Sequence, residues 1–156
     1  MDMLFDLFNK NTNKRYYGEK VDLVQERVEE ATLWNNYTKS IFYGIYLPNE
    51  PIKVGKCDLR LGMNEELYYA GNIGYRINEL YQGHHYAYYA CLLLFEIAKK
   101  DYGMKEMIIT CSPDNTASRK TLEKLEGEFV ETAEVPTSHW LYKRGETIKN
   151  IYHYEL

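Results

Sequence analysis

The chain has 156 residues, a net charge of −4 and 27% charged residues. This length predicts a single domain over residues 1–156. The negative charge argues against nucleic acid as the main partner, because phosphate binding favours a basic surface. No signal peptide is visible and no apolar run approaches the roughly 20 residues of a membrane span, so we expect a cytoplasmic protein with no membrane partner. Cys57, Cys91 and Cys111 lack metal-like spacing, which favours reduced core thiols and no bound metal.

Residues 1–20 are predicted to form an amino-terminal extension. It begins with the apolar residues Met3, Leu4, Phe5, Leu7 and Phe8. Docking of this patch on its own domain and docking on a second subunit are both open, so a homodimer is one of the expectations. Residues 21–28 are compatible with a first strand or with a helix. Residues 29–40 then leave little room for helices before the next strand.

From Ile41 the apolar residues alternate with polar ones, which is typical of half-buried strands. The pattern predicts a strand over residues 41–47, a second around residues 57–61 and a third over residues 67–77. Gly71 and Gly74, inside the third strand, are candidates for a bulge or for a close approach of backbone. Together these strands would form an antiparallel meander.

A short polar loop over residues 82–85 leads into a helix. The apolar residues of 86–98 recur with helical spacing, and Gly103 stands where a left-handed stop is expected. The first N–H groups of such a helix have no internal partner, which makes a ready anion site, most simply for a phosphate. The apolar run 107–111 is typical of a central strand. Strand, crossover helix and strand imply a parallel pair.

A second helix begins at Asn115 as N-cap and is predicted to stop at Gly127. Residues 129–135 and 148–156 follow as two final strands, joined by a loop over residues 136–147. The elements therefore predict an α+β fold with a mixed, mostly antiparallel sheet and helices on both faces. The 16 tyrosines line a groove or interface on one interpretation and occupy half-buried sheet positions on the other.

Two segments resemble the GNAT acetyltransferase superfamily. Gln82 and Ala87 match the ends of its acyl-CoA loop, with His85 in the place of the central glycine. About thirty residues on, the second segment matches at Asn115, Ser118, Glu123, Lys124 and Leu125. The resemblance covers residues 41–156 and is nearest to the ribosomal-protein N-terminal acetyltransferases. It implies a GNAT-like fold in which the strands over residues 67–77 and 107–112 part at their carboxyl ends.

The resemblance also implies acetyl-CoA as cosubstrate and an acetyl transfer to a primary amine of a small molecule or peptide, by direct attack in a ternary complex. The residues implied for acetyl-CoA are Ile77, Gln82, Gly83, His84, His85, Tyr86, Ala87, Asn115 and Ser118. Asn72 stands where many members carry a catalytic carboxylate, near the expected thioester, and Leu122 stands where they carry a proton-donating tyrosine. Glu66 is the nearest carboxylate and Tyr142 the substitute proton donor.

Five alternatives stay open. The loop over residues 82–87 could be only a helix cap, in which case the chain is a generic α+β domain. Asn72 and Leu122 also suit a non-catalytic acyl-CoA-binding or regulatory module of the same fold. The tyrosines suit an interaction protein. Cys111 could act as an acylated nucleophile, and His84 with His85 could bind a metal, although sequence neighbours rarely converge on one ion.

Overall fold

The computed structural model of the chain describes residues 13–156. The predicted apolar patch over residues 3–8 lies outside the described residues. Residues 13–156 form eight strands, one of which is the segment 22–29 that was compatible with a strand or a helix from the sequence. The strands are β1 Arg15–Tyr16, β2 Asp22–Glu29, β3 Ser40–Tyr46, β4 Lys53–Arg60, β5 Ile73–Ile77, β6 Glu106–Cys111, β7 Glu128–Glu134 and β8 Ile148–Glu155.

The strands form two antiparallel sheets. The first has the order β1-β2-β3-β4-β5 and the second the order β6-β8-β7. The described part of the chain also contains four α-helices: α1 Glu65–Ala70, α2 Tyr86–Tyr102, α3 Thr116–Lys124 and α4 Trp140–Lys143. The predicted α+β class is confirmed.

The long helix α2 packs on the first sheet. Its apolar face is buried against β2, β4 and β5, and the left-handed Gly103 ends it as predicted. Along β6, side chains alternate between two cores: Met107 and Ile109 face the large core under α2, whereas Ile108 packs beside Tyr68 and Tyr69 of α1. Helices therefore cover both faces of the second sheet. Among residues 13–156 no helix is long and apolar enough to cross a membrane.

The two sheets meet at Asn72. Its backbone N–H donates to the carbonyl oxygen of Ile108 (2.6 Å), and its side-chain Oδ1 accepts from the N–H of Ile108 (2.8 Å). Its Nδ2 donates to the carbonyl oxygens of Arg60 and Gly62, both at 2.8 Å. Beyond this point β5 and β6 belong to different sheets. The two strands are therefore joined at the start of β5, through Asn72 and Ile108, and part towards their carboxyl ends.

Three predictions about local structure are wrong. Residues 65–70 form helix α1 rather than the first half of a strand, because Asn64 caps the helix by accepting from the N–H of Leu67 (2.8 Å). Gly71 ends that helix at φ +82°, where an added Cβ would lie 3.2 Å from the backbone of Thr110. The predicted loop over residues 136–147 contains helix α4.

The third error concerns the end of α3. The residue in the left-handed conformation is Glu126 at φ +63°, not Gly127. Gly127 is instead required by packing, because an added Cβ would lie 2.4 Å from the ring of Tyr154.

Candidate functional site

A groove of about 550 Å³ lies between the carboxyl half of β5, the loop before α2 and one side of α3. Strand β5 contributes Tyr75, Arg76 and Ile77, and the loop contributes residues 81–83 and 85. The groove opens where the two sheets part. It is therefore the place at which the backbone of β5 is accessible.

The start of α2 faces this groove without a side-chain cap. His85 holds the N-cap position at φ +62° and makes no capping hydrogen bond, and Gly83 has φ +91°. The first helical bond runs from the N–H of Tyr89 to the carbonyl oxygen of His85 (3.2 Å). The N–H groups of Tyr86 and Ala87 therefore have no helical acceptor and sit at the positive end of the helix dipole. His85 adopts the left-handed conformation that favours glycine, so it can stand in the place of the family's central glycine.

The groove carries positive charge although the chain is acidic overall. Arg76, Lys120 and Lys124 line it, and among the described residues no aspartate or glutamate does. The ammonium of Lys124 also lies over the ring of Tyr88, 4.4 Å from its centroid. A polar recess lined by Lys53, Lys56 and Glu79 adjoins the groove at Arg76 and Gln82. This charge distribution suits an anionic ligand.

Tyr75 brings a buried hydroxyl to the groove. The hydroxyl has no hydrogen-bond partner among the described residues. Burial raises the pKa of Tyr75 well above its ordinary value. The side chains of Ser118 and Thr121 lower this pKa by less, and neither lies in hydrogen-bond geometry with the hydroxyl. The phenol therefore stays protonated at neutral pH. A buried donor without a partner is uncommon in folded proteins, and a ligand is one way to satisfy it.

One edge of β5 is open towards β6. Hydrogen bonds from the N–H of Arg60 to the carbonyl oxygen of Asn72 and from the N–H of Asn78 to that of Val54 set the register against β4. Because bonding groups alternate along an antiparallel pair, the backbone groups of Ile73, Tyr75 and Ile77 point to the opposite edge. Strand β6 forms no ladder there. An extended ligand with amide groups could pair with this edge.

The residues predicted for acetyl-CoA come together in the groove. All of them line it except His84, whose ring stacks on Tyr86 with centroids 5.2 Å apart. Asn115 caps α3, since its Oδ1 accepts from the N–H of Ser118 (3.2 Å). Its Nδ2 group is left to donate elsewhere.

The three residues predicted for catalysis do not line the groove. Asn72 is fully buried, and its side-chain amide makes the hydrogen bonds that connect the two sheets. Glu66 lies in α1, and its carboxylate accepts from Nδ2 of Asn36. Tyr142 lies in α4 with 39% of its surface exposed. Leu122, at the family's tyrosine position, is fully buried.

Sequence reasoning missed several residues of the groove. They are Tyr75, Arg76, Tyr81, Tyr88, Ala117, Lys120, Thr121 and Lys124. A signal for the α3 members was present: positions 117, 120, 121 and 124 share one side of a helix that begins at Asn115. For Tyr75 the alternation of β5 pointed to the core, and nothing in the sequence marks its hydroxyl as unpartnered. Within residues 13–156 no three His, Cys, Asp or Glu side chains converge as metal ligands would.

Two sheets that part beside an uncapped helix, with a cationic groove at the opening, define an α+β domain of the acyltransferase type. The sequence profile of the acetyltransferase (GNAT) domain matches residues 1–128. The chain therefore belongs to the GNAT acetyltransferase family. A search of curated proteins finds no significant match.

Solved structures share the fold at low sequence identity. A GNAT acetyltransferase from Bacillus anthracis is 22% identical with a TM-score of 0.58, and the match covers 73% of this chain and 65% of that one. RimL, a ribosomal L7/L12 α-N-protein acetyltransferase solved with coenzyme A, is 19% identical with a TM-score of 0.55, covering 75% and 62%. A candidate ribosomal-protein-serine acetyltransferase from Vibrio cholerae is 13% identical with a TM-score of 0.66, covering 94% and 99%. The chain thus spans less than two thirds of the first two structures.

Proposed function

We propose that this protein transfers an acetyl group from acetyl-CoA to a primary amine of a small molecule, peptide or protein, by direct attack in a ternary complex. One observation carries the proposal: a cationic groove without carboxylates joins an uncapped helix start to an open strand edge. Family membership and the coenzyme A bound by RimL support the same cosubstrate.

The phosphates would bind at the start of α2. The N–H groups of Tyr86 and Ala87 would donate to the diphosphate, with Gln82 and Gly83 shaping the turn. Arg76, Lys120 and Lys124 would add charge, and charge-assisted hydrogen bonds of this kind are stronger than neutral ones. His84, stacked on Tyr86 and exposed, would close the outer side of the loop.

The amide-containing arm would run along the open edge of β5. Backbone groups of Ile77 and Tyr75 would pair with it, and Nδ2 of Asn115 and the hydroxyl of Ser118 would add hydrogen bonds from α3. The unpartnered hydroxyl of Tyr75 fits this ligand, because the arm and its thioester offer acceptors in the groove where that donor lies.

The acetyl carbon would then lie beside the backbone N–H of Tyr75. As the amine nitrogen attacks, the C–S bond breaks and the thiolate leaves, while the amine gives its proton to water or a base. One well-placed N–H donor to the developing oxyanion contributes about 3 kcal/mol. Glu66 is the proposed base, acting through water, and Tyr142 the proposed proton donor. Bulk water replaces Glu66 if the carboxylate stays bound to Asn36.

A non-catalytic acyl-CoA-binding module is the second candidate. The buried amide of Asn72 and the buried Leu122 favour it, because neither can move a proton at the family's usual positions. Such a module would bind acetyl-CoA and would not turn it over. The cytoplasmic location and the homodimer stay predictions.

Release of free thiol from acetyl-CoA, measured over a panel of amines and free-amine peptides, tests the proposal. We expect amine-dependent release, and calorimetry should show acetyl-CoA binding by the same sample. Binding without release for any acceptor would favour the second candidate. Failure to bind would contradict both.

A further inference from the structure

A cationic recess of about 670 Å³ adjoins the groove at the end where the phosphates would bind. Lys53, Lys56 and Arg76 line the recess, which shares Arg76 and Gln82 with the groove. The loop residues 82–85 at this end are all exposed. The proposed phosphate site therefore opens onto a charged surface, and the part of a ligand that lies beyond its phosphate would rest against that surface.

Two of these cations stand directly opposite each other in the first sheet. Lys56 of β4 and Arg76 of β5 are register partners, and both are exposed. Because their neighbours Cys57 and Tyr75 belong to the core under α2, both cations point to the other face of the sheet. Neither takes part in an ion pair within 4.0 Å among the described residues. Like charges directly opposite in an antiparallel pair are destabilising, and an anionic partner would offset this repulsion.

The carboxylates near the recess do not neutralise these two cations. Glu26 pairs with Lys53 (2.7 Å). Asp58, the next side chain on this face of β4, pairs with Arg60 (2.7 Å). Of the described residues, Glu79 is the one carboxylate that lines the recess, against three cations. The recess therefore keeps a net positive charge.

Positive charge continues on the other side of the groove. Lys120 and Lys124 of α3 line it, whereas Glu123 of the same helix is 3.8 Å from Arg119 in an ion pair and does not line the groove. Cations therefore frame the proposed phosphate site from both sides. Such a frame complements a partner whose surface is acidic around its own phosphate.

An exposed leucine stands at the same opening. Leu80 is 90% exposed and lies in the short turn Glu79–Tyr81. Its neighbours on either side line the two cavities, Glu79 the recess and Tyr81 the groove. Leu80 thus offers an apolar contact inside a charged rim, which is the arrangement of protein–protein interfaces.

From these observations we infer that the cationic recess, together with Leu80, docks an acidic carrier protein that delivers the acetyl group as a thioester of its phosphopantetheine arm. A carrier protein and coenzyme A present the same arm and phosphate, and they differ in what lies beyond the phosphate. Nucleic acid and anionic lipid are also negatively charged, but neither brings an arm that enters the adjoining groove.

The inference rests on the proposed acetyl transfer and adds a second donor to it. The chemistry at the acetyl carbon is the same with both donors. The amine nitrogen bonds to the acetyl carbon and the C–S bond breaks. The sulfur leaves as a thiolate that stays on the carrier, while the amine gives its proton to solvent.

Acetyl transfer from a carrier protein tests the inference directly. The probe is the acidic acyl carrier protein of fatty-acid synthesis, with its phosphopantetheine arm loaded with an acetyl group. It is mixed with the amine that gives the fastest thiol release from acetyl-CoA. We expect the same acetylated amine from both donors and binding of the carrier in calorimetry. The kcat/KM for the carrier should fall steeply as salt rises, because the docking is electrostatic.

Variants separate the docking surface from the groove. Lys56→Glu reverses a charge in the recess and Leu80→Ser removes the apolar contact, and neither residue lines the groove. Each should lower kcat/KM for the acetylated carrier by about tenfold and leave kcat/KM for acetyl-CoA within about twofold. The matched controls are Lys105→Glu, exposed beyond the other end of α2, and Ile148→Ser, 44% exposed at the start of β8. They should change neither value.

Three outcomes would overturn the inference. Turnover of acetyl-CoA with neither binding of the carrier nor transfer from it would leave the proposed function standing alone. A loss of acetyl-CoA activity in Lys56→Glu that is absent with the dephospho form, which lacks the ribose phosphate, would make that phosphate the occupant of the recess. Single-stranded RNA or anionic phospholipid vesicles that bind more tightly than the carrier, and lose binding in Lys56→Glu, would make nucleic acid or a membrane the occupant.

A fourth outcome separates the inference from the proposed function. Binding of the carrier that depends on Lys56, without acetyl transfer from either donor, would support the docking surface and contradict the proposed function.

Discussion

Replacing Tyr75 by phenylalanine removes a hydroxyl that has no partner in the unliganded protein. A buried donor without a partner costs about 1–3 kcal/mol, so its removal should leave stability unchanged or raise it by up to that amount. For a chain of this size each kcal/mol shifts Tm by about 2–4 °C. We therefore expect Tyr75→Phe to melt at or above the wild-type Tm without ligand.

The same change should weaken coenzyme A. If the ligand accepts a hydrogen bond from the hydroxyl, the variant loses about 1–3 kcal/mol of binding free energy. The dissociation constant of coenzyme A should then be roughly 5- to 150-fold higher. Calorimetry gives the affinity, and the Tm shift induced by coenzyme A gives a second measure. The two effects have opposite signs, which a simple packing defect would not produce.

Tyr43→Phe is the matched control. The Tyr43 hydroxyl is also buried without a partner, with Tyr102 close by but outside hydrogen-bond geometry, and it lies in the core rather than the groove. Its loss should stabilise the protein comparably and leave coenzyme A affinity unchanged. A lower Tm for Tyr75→Phe together with unchanged affinity would refute the reasoning, because the hydroxyl would then be satisfied inside the protein.

Three further changes test the site and its frame. Ala87→Glu places a carboxylate at the proposed diphosphate position. For charges about 4 Å apart it should weaken the binding of coenzyme A by about 4 kcal/mol, roughly a thousandfold. Leu92→Glu, on the exposed side of the same helix, should leave the affinity measured by calorimetry unchanged. Asn72→Ala leaves the buried N–H of Ile108 without a partner, together with the less buried carbonyl oxygens of Arg60 and Gly62. It should cost about 1–3 kcal/mol, a fall of roughly 2–12 °C in Tm by calorimetric melting. Burial raises the pKa of Asp22, but N–H groups of Asn49 and Gly18 and the Arg15 guanidinium outweigh it and lower that pKa below the ordinary 3.8. Asp22→Asn should therefore lower the free energy of unfolding by on the order of 3 kcal/mol at pH 7. Denaturant titrations should show this difference from wild type shrinking as pH falls below 3.8 and through the lowered pKa of the folded state. A difference that does not depend on pH would contradict this assignment.

Local patterns in the sequence predicted most elements because their causes are local. The long helix follows from the apolar spacing of residues 86–98 and from Gly103, and both lie within one element. The start of α2 at Tyr86, directly after the polar loop, was placed correctly for the same reason. Helix α1 was missed although Asn64, two glutamates and Gly71 are ordinary helix signals. The alternation of Leu67 and Tyr69 suggested a strand, and six residues are too few for helical periodicity to decide.

Other features depend on residues far apart in the chain, and no local pattern carries them. Gly127 is fixed by the ring of Tyr154 on a strand that follows much later. The cationic character of the groove arises because β5 and α3 bring Arg76 beside Lys120 and Lys124, while the chain as a whole is acidic. The net charge of the chain therefore did not predict the local positive charge of the groove.

The opening between the sheets has its cause in Asn72. In a continuous parallel pair the N–H of Ile108 would donate to a backbone carbonyl of the neighbouring strand. Here the Asn72 side chain takes that N–H, while the Asn72 backbone turns its carbonyl to Arg60. One residue thus satisfies both sheets at their point of contact and leaves the next backbone groups of β5 without a neighbouring strand. An aspartate in this position could accept from the N–H of Ile108, but it has no N–H to donate to the carbonyl oxygens of Arg60 and Gly62. Asn72 is therefore the residue at which β5 leaves its neighbour and the open edge of the strand begins.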